Sequence, residues 1–118
     1  MAKHIRTGHL GESLAAEYFS ANGYHILHRN WRHGHWEVDI IASRNNILHF
    51  IEVKTRRSLK FGYPEEKVDA KKIKYLINAS EQFLLLYPQW KRVQFDILSI
   101  SIDEMGKPLY FLIEDVYL

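Results

Sequence analysis

Apolar residues along the chain recur first at intervals of four and then at intervals of two, a change of period that separates helix from strand. Leu10, Leu14 and Tyr18 predict a helix over 8–22, capped by Thr7 and stopped by Asn22-Gly23. From Tyr24 to Arg32 the residues are aromatic, β-branched or apolar, and His33-Gly34-His35 then turns into 36–43, which predicts two antiparallel strands. Asn45-Asn46 supplies a second turn before ILHFIEVKTR, whose apolar run suits a central, mostly buried strand and completes a three-strand meander. Ile73, Leu76, Ile77, Phe83 and Leu84 keep helical spacing over 69–87, with Asp69 as cap and Tyr87-Pro88 as terminator. VQFDILSISI and PLYFLIEDV read as two last strands joined by the polar turn from Asp103 to Lys107. The order αβββαββ, without repeats or linker-like stretches, predicts one α/β domain over residues 1–118.

Composition narrows the chemistry. A chain of 118 residues, 47% hydrophobic and 25% charged, is large enough to bury its own core and is not of disordered composition. The absence of cysteine excludes a disulfide framework, a thiol nucleophile, a thiolate zinc site and an iron–sulfur cluster, and it makes the cytoplasm the natural compartment. No apolar run in Met1–Ser13 suits a signal sequence, and none elsewhere reaches the roughly 20 residues a bilayer requires, so no membrane partner is expected. The net charge of +2 is mild, but its distribution is not: residues 1–74 carry 13 Lys and Arg against 8 acids, and residues 75–118 carry 3 against 6. Within KTRRSLKFG, Lys54–Gly62, four cations directly follow a group of carboxylates.

Strand alternation gives those carboxylates a geometry. Asp39 shares a face with Glu37 and Ile41, and Glu52 shares one with Leu48, Phe50, Lys54 and Arg56. Counted back from the Arg44-Asn45-Asn46 connection, Asp39 and Glu52 stand at the same level of a hairpin. An acid flanked by Phe50, Ile51 and Val53 is costly to bury unless its charge is compensated, and a hard divalent cation such as Mg²⁺ or Mn²⁺ does that with oxygen ligands. Lys54, on the face of Glu52, then places an ammonium where it orients an attacking water or stabilises charge developing on phosphorus.

Glu37-Val38-Asp39 followed by Glu52-Val53-Lys54 resembles the PD-(D/E)XK signature of restriction-endonuclease-like nucleases, with Val38 where proline is common and bulky Trp36 before Glu37. GHLGESLAAEYF, GYHILHRNWR, EVDIIA, FIEVKTR and FGYPEEKV together resemble the small uncharacterised bacterial family UPF0102, also called the YraN family, over most of the chain. That family is similar in outline to archaeal Holliday-junction resolvases, whose first helix contributes a further glutamate; Glu12 is the matching residue. The resemblance implies an αβββαβ core with a mixed central sheet flanked by helices, plus an added C-terminal strand. It further implies a metal-dependent endonuclease acting on structured or branched DNA, with Asp39 and Glu52 as metal ligands and Glu12 and Lys54 beside them in the catalytic set. Symmetric incision of a four-way junction would ask for a homodimer. The sequence also allows a non-catalytic nucleic-acid-binding module on the same fold, or an interaction subunit that pairs with a partner through its Trp- and Tyr-rich surface.

Each residue also has an ordinary reading. Glu12, on a helical stripe with Ala16 and Phe19, is otherwise a first-turn acid favoured by the helix dipole; Glu52 and Lys54 are otherwise a same-face ion pair. Asp39, between Val38 and Ile40, has no comparable alternative beyond pairing with an arginine. Arg29, Arg32, Arg56, Arg57 and Lys60 group around the acids and are expected to contact phosphates, although most charge runs are solvated surface. Glu37 reads as a rim acid. Trp31, Trp36, Phe61 and Tyr63 are core or base-stacking residues, and the spacing does not choose between them. The seven histidines show no zinc spacing, and Asp96, in a core strand, has no assigned role.

Overall fold

The computed structural model describes residues 3–57 and 70–116, and there it contains the expected αβββαββ order. Helix α1 spans Lys3–Ala21, strands β1, β2 and β3 span His25–His33, Trp36–Arg44 and Ile47–Arg56, α2 spans Ala70–Leu86, and β4 and β5 span Val93–Ile102 and Pro108–Ile113. The strands form one sheet in sequence order, antiparallel except where the α2 crossover makes β3 and β4 parallel. This is the mixed sheet of the restriction-endonuclease-like α/β class. Helix α1 covers one face, through Ala15 and Phe19 against Ile40, Ala42, Ile51 and Leu98. Helix α2 covers the other, through Leu76, Ala79 and Phe83 against Val38, Ile41, Leu48 and Phe50.

Two boundaries and one helical face differ from the periodicity. Helix α1 begins at Lys3, so Thr7 lies inside it and is not its cap. Its buried stripe is Gly11, Ala15 and Phe19, one residue beyond the expected Leu10, Leu14 and Tyr18, and Leu10 is exposed. Strand β5 ends at Ile113 rather than running through EDV, because Asp115 is left-handed (φ 56°) and its N–H donates to Asp96 Oδ1 at 2.9 Å. The expected cap Asp69 lies outside the described residues.

The turns follow from their residues. Asn45 and Asn46 both have positive φ, 54° and 62°, the pair of conformations a two-residue hairpin of the right twist requires. At the end of α1, Gly23 is left-handed (φ 85°), Tyr24 N–H donates to Phe19 O and Gly23 N–H to Ser20 O, and the Tyr24 ring packs edge-on against Phe19. That closure satisfies carbonyls a helix end otherwise leaves open.

Asp96 acquires a structural role. It is fully buried, with His49 Nδ1 2.7 Å from its Oδ2 and with Gln94 Nε2 and the Asp115 N–H donating to its Oδ1. The carboxylate therefore ties β3 and the segment after β5 to β4, and its bonds offset the desolvation of a buried acid.

The shift of the α1 stripe brings helix and sheet unusually close. A methyl on Gly11 would stand 2.8 Å from Thr55 Cβ, and nearer still to its Oγ1, so only glycine permits this approach. Gly11→Ala is expected to lower stability by about 1–3 kcal/mol, the usual range for overpacking, measured by urea denaturation. Pairing it with Thr55→Ala should give a smaller loss than the two single losses added together. A fully additive double variant would show that this contact does not set the spacing.

Candidate active site

The sheet is irregular at one level, and the acids are there. The β2–β3 ladder runs from Arg44↔Ile47 to Ile40↔Ile51 and is not paired beyond. Val38 packs on the α2 side whereas Ile40 and Ala42 pack on the α1 side, so the period of two breaks at Asp39. Opposite Asp39 on β1, between the Arg29↔Ile40 and Trp31↔Val38 pairs, Asn30 is left-handed (φ 52°). Where the backbone ladder stops, a side chain takes over: Val53 N–H donates to Asp39 Oδ2 at 2.8 Å.

Asp39 and Glu52 thus face one cleft of about 150 Å³, lined by Glu37, Val38, Asp39, Glu52, Lys72, Tyr75 and Leu76. Burial of the Asp39 carboxyl is the main reason its pKa is pushed up to about 6; the charges of Glu52 and Glu12 add to the rise, and the Val53 hydrogen bond and Lys72 oppose it. The ordinary pairing of Asp39 with an arginine is not what its surroundings provide. Glu12 comes from α1, where its Oε2 accepts a 3.2 Å hydrogen bond from Asn30 Nδ2. Its charge reaches Asp39, but it is not among the residues lining the cleft.

The lysine facing the acids was not the one expected. Lys72 Nζ, from the first turn of α2, lies 3.1 Å from Glu52 Oε1, and that hydrogen bond holds the ammonium in its charged form. Lys54 is half-buried on β3, beside Ser99 in the register, and does not line the cleft. Tyr75, one turn after Lys72, fixes α2 against the β1–β2 hairpin: its hydroxyl donates to His35 O at 3.0 Å and accepts from Glu37 N–H at 2.9 Å. Trp36 leans on the Tyr75 ring with centroids 5.1 Å apart, while Trp31 is buried against Phe83. The only signal for Lys72 and Tyr75 in the sequence was their i, i+3 spacing with Leu76 following, which any amphipathic helix shows.

The cations are distributed rather than gathered. Arg29 and Arg32 are exposed on β1, and Arg32 Nε is 3.2 Å from Glu37 Oε1 in a solvated pair of little energetic weight. Arg56 is half-buried opposite Ser101, and exposed Arg57 borders a second groove with Asp103, Glu104 and Lys107. Lys60, Phe61 and Tyr63 lie outside the described residues. Arg32, Arg56 and Arg57 stand toward the end of the sheet at which β2 and β3 part.

The donor set bears on a metal in a specific way. Among the described residues no group of three or more His, Asp or Glu side chains is placed to hold an ion by itself. Mg²⁺, however, commonly takes one or two protein carboxylates and completes its shell with water and phosphate oxygens. Two carboxylates in an open cleft, one of them partly buried without a full counter-charge, fit that requirement.

A mixed sheet with an acidic cleft where its second and third strands part defines a restriction-endonuclease-like domain. Residues 11–100 match the model of the uncharacterised protein family UPF0102, and the chain belongs to that family. It is 44% identical over 106 residues to a UPF0102 protein of Bacteroides thetaiotaomicron, covering 90% of this chain and 87% of that one. It is 45% identical over 104 residues to one of Flavobacterium johnsoniae, with 85% of each covered. A third, from Dictyoglomus thermophilum, is 42% identical over 103 residues, 86% of this chain and 87% of its own. No helix among the described residues is long and apolar enough to cross a membrane.

The raised Asp39 pKa makes a prediction about stability. The folded state holds the Asp39 proton up to about pH 6, whereas an unfolded aspartate releases it near 3.8, so the metal-free protein should lose stability as pH rises through that window. Asp39→Asn keeps an acceptor for Val53 N–H and abolishes the charge. The variant should therefore be more stable at pH 7 by about 1–3 kcal/mol, with a flatter profile between pH 4 and 6, measured by urea denaturation without divalent cations. Equal stability at pH 7 would show that the site does not strain this carboxylate.

Proposed function

We propose that this protein is a metal-dependent endonuclease that hydrolyses phosphodiester bonds in structured or branched DNA. The observation that carries the reading is the partly buried Asp39 carboxylate, set beside Glu52 in an open cleft where burial and like charge disfavour its ionisation. Such an arrangement lowers stability, and acids kept at that disadvantage concentrate at functional sites. Asp39 and Glu52 are the residues to hold Mg²⁺ or Mn²⁺. When bound, that ion lowers the pKa of a water and neutralises charge on the phosphate.

The chain's own groups supply the rest. The Val53 N–H orients Asp39 with one oxygen engaged. Lys54, two residues beyond Glu52 on β3 though not in the lining of the cleft, is proposed to provide an ammonium for the charge that develops as a water oxygen bonds to phosphorus and one P–O ester bond breaks, the proton ending on the leaving oxygen. Glu12, held by Asn30, adds a negative potential that favours cation binding. Arg29, Arg32, Arg56, Arg57 and Lys60 are proposed to bind phosphates along the strand, positioning it without reading sequence. Paired incision of a junction calls for two such sites, which a twofold homodimer provides. The cytoplasm is the proposed location.

The test is cleavage of duplex, single-stranded, flap and four-way DNA with Mg²⁺ or Mn²⁺, alongside binding measured in Ca²⁺. Wild type should cut at least one structured substrate, and Asp39→Asn should cut it at least about a hundredfold more slowly with affinity nearly intact. A wild type that binds DNA and cuts nothing would leave the non-catalytic binding module as the function. Equal cleavage by Asp39→Asn would place the activity elsewhere.

A further inference from the structure

We infer that Lys72 is a substrate-contacting residue of this cleft: its ammonium, seated on Glu52, transfers to the non-bridging oxygens of the phosphodiester when a divalent cation occupies the carboxylates. The inference rests on the nuclease reading above and adds to it a second lysine, from a different element than Lys54.

The placement of the charges carries it. The described lining of the cleft contains three acids, Glu37, Asp39 and Glu52, and Lys72 as their one cation. The Glu52 side chain is 19% exposed and that of Lys72 is 54% exposed, so the carboxylate lies inward and the ammonium lies over it at the mouth. An anionic substrate approaching Glu52 meets Lys72 first. The helix beneath is held in place, with Leu76 buried and the Tyr75 hydroxyl bonded to the backbone of both His35 and Glu37. Movement is thus confined to the lysine's flexible four-carbon stem.

Electrostatics then dictates two positions. Lys72 is the cation that Glu52 faces in the described lining of the cleft, 3.1 Å from its Oε1. A divalent cation on the same carboxylates repels an ammonium a few ångströms away, and the charge must find other oxygens. A phosphodiester bound to that cation presents them at the same distance. Because each occupant relieves the repulsion felt by the other, cation and phosphate should bind cooperatively through Lys72, each raising the affinity of the other by the same factor.

The test is Mn²⁺ binding by calorimetry and single-turnover DNA cleavage at saturating Mn²⁺, for wild type, Lys72→Met and Lys72→Arg, each first confirmed as folded by thermal melting. Removing the competing charge should tighten Mn²⁺ binding to Lys72→Met about tenfold, while cleavage falls about a hundredfold. Lys72→Arg should keep the wild-type Mn²⁺ affinity and recover part of the rate. A purely structural lysine predicts a different result, with Mn²⁺ affinity lowered as Glu52 loses its support. Unchanged or weakened Mn²⁺ binding by Lys72→Met, or cleavage within twofold of wild type, would overturn the inference while leaving the nuclease reading intact. A wild type whose Mn²⁺ binding is indifferent to Asp39→Asn would overturn both.

Discussion

Where β2 and β3 cease to pair, the Asp39 carboxylate accepts the hydrogen bond from Val53 N–H that a continued ladder would have directed to backbone, and the cleft depends on that substitution. Had the ladder run on, Val38 and Asp39 would have kept strict alternation and the strands would have remained closed. Instead the strands part, Asp39 stays mostly buried, and Glu52 reaches the same space from β3. The backbone donor is satisfied and the acid is fixed, but its charge is only partly compensated. A charge left in that condition is one that the proposed cation would compensate, and the local cost is carried by the remainder of the fold.

That remainder is built to hold the irregular level still. Gly11 lets α1 settle onto Thr55, which places Glu12 against Asn30 at the level of Asp39. Tyr75 bonds α2 to the hairpin turn and brings Lys72 over Glu52. The pair Glu12–Asn30 from the α1 side and the contacts Asp39–Val53 and Glu52–Lys72 toward the α2 side therefore lie at one level of the sheet. Away from it, the buried Asp96 with its three partners secures β3 and the C-terminal segment to β4, and it contributes stability where no cleft has to form. The two acids differ in this respect: Asp96, fully buried, has every oxygen engaged, and Asp39, partly buried, is bonded through one.

Much of this was legible from local pattern. The strand positions, the Asn45-Asn46 turn and the Asn22-Gly23 stop follow from neighbouring residues and appear in the fold, and the expected convergence of Asp39 and Glu52 appears as one cleft that both line, although the strand period and the pairing break there. Features set by distant residues were not legible. Gly11 carried no reading of its own, because Thr55, its reason for being glycine, lies far along the chain. Lys72 carried none either, since nothing in AKKIK says that Glu52 will face it. Asn30 sat inside a strand pattern without marking the break, and the apolar stripe of α1 was drawn through its larger side chains when the smaller ones made the contact. Lys54 was legible as part of a motif, but its face alone did not bring it into the cleft lining.

The central claim is that Asp39 and Glu52 jointly hold a divalent cation in this cleft. Anomalous diffraction from a crystal soaked in Mn²⁺ tests it most directly, because the signal locates the ion without reference to activity. The account predicts one peak at bonding distance, about 2.1–2.3 Å, from an oxygen of each carboxylate, with the Lys72 ammonium displaced from Glu52. A peak elsewhere on the chain, or none here while Lys72 remains on Glu52, would contradict it.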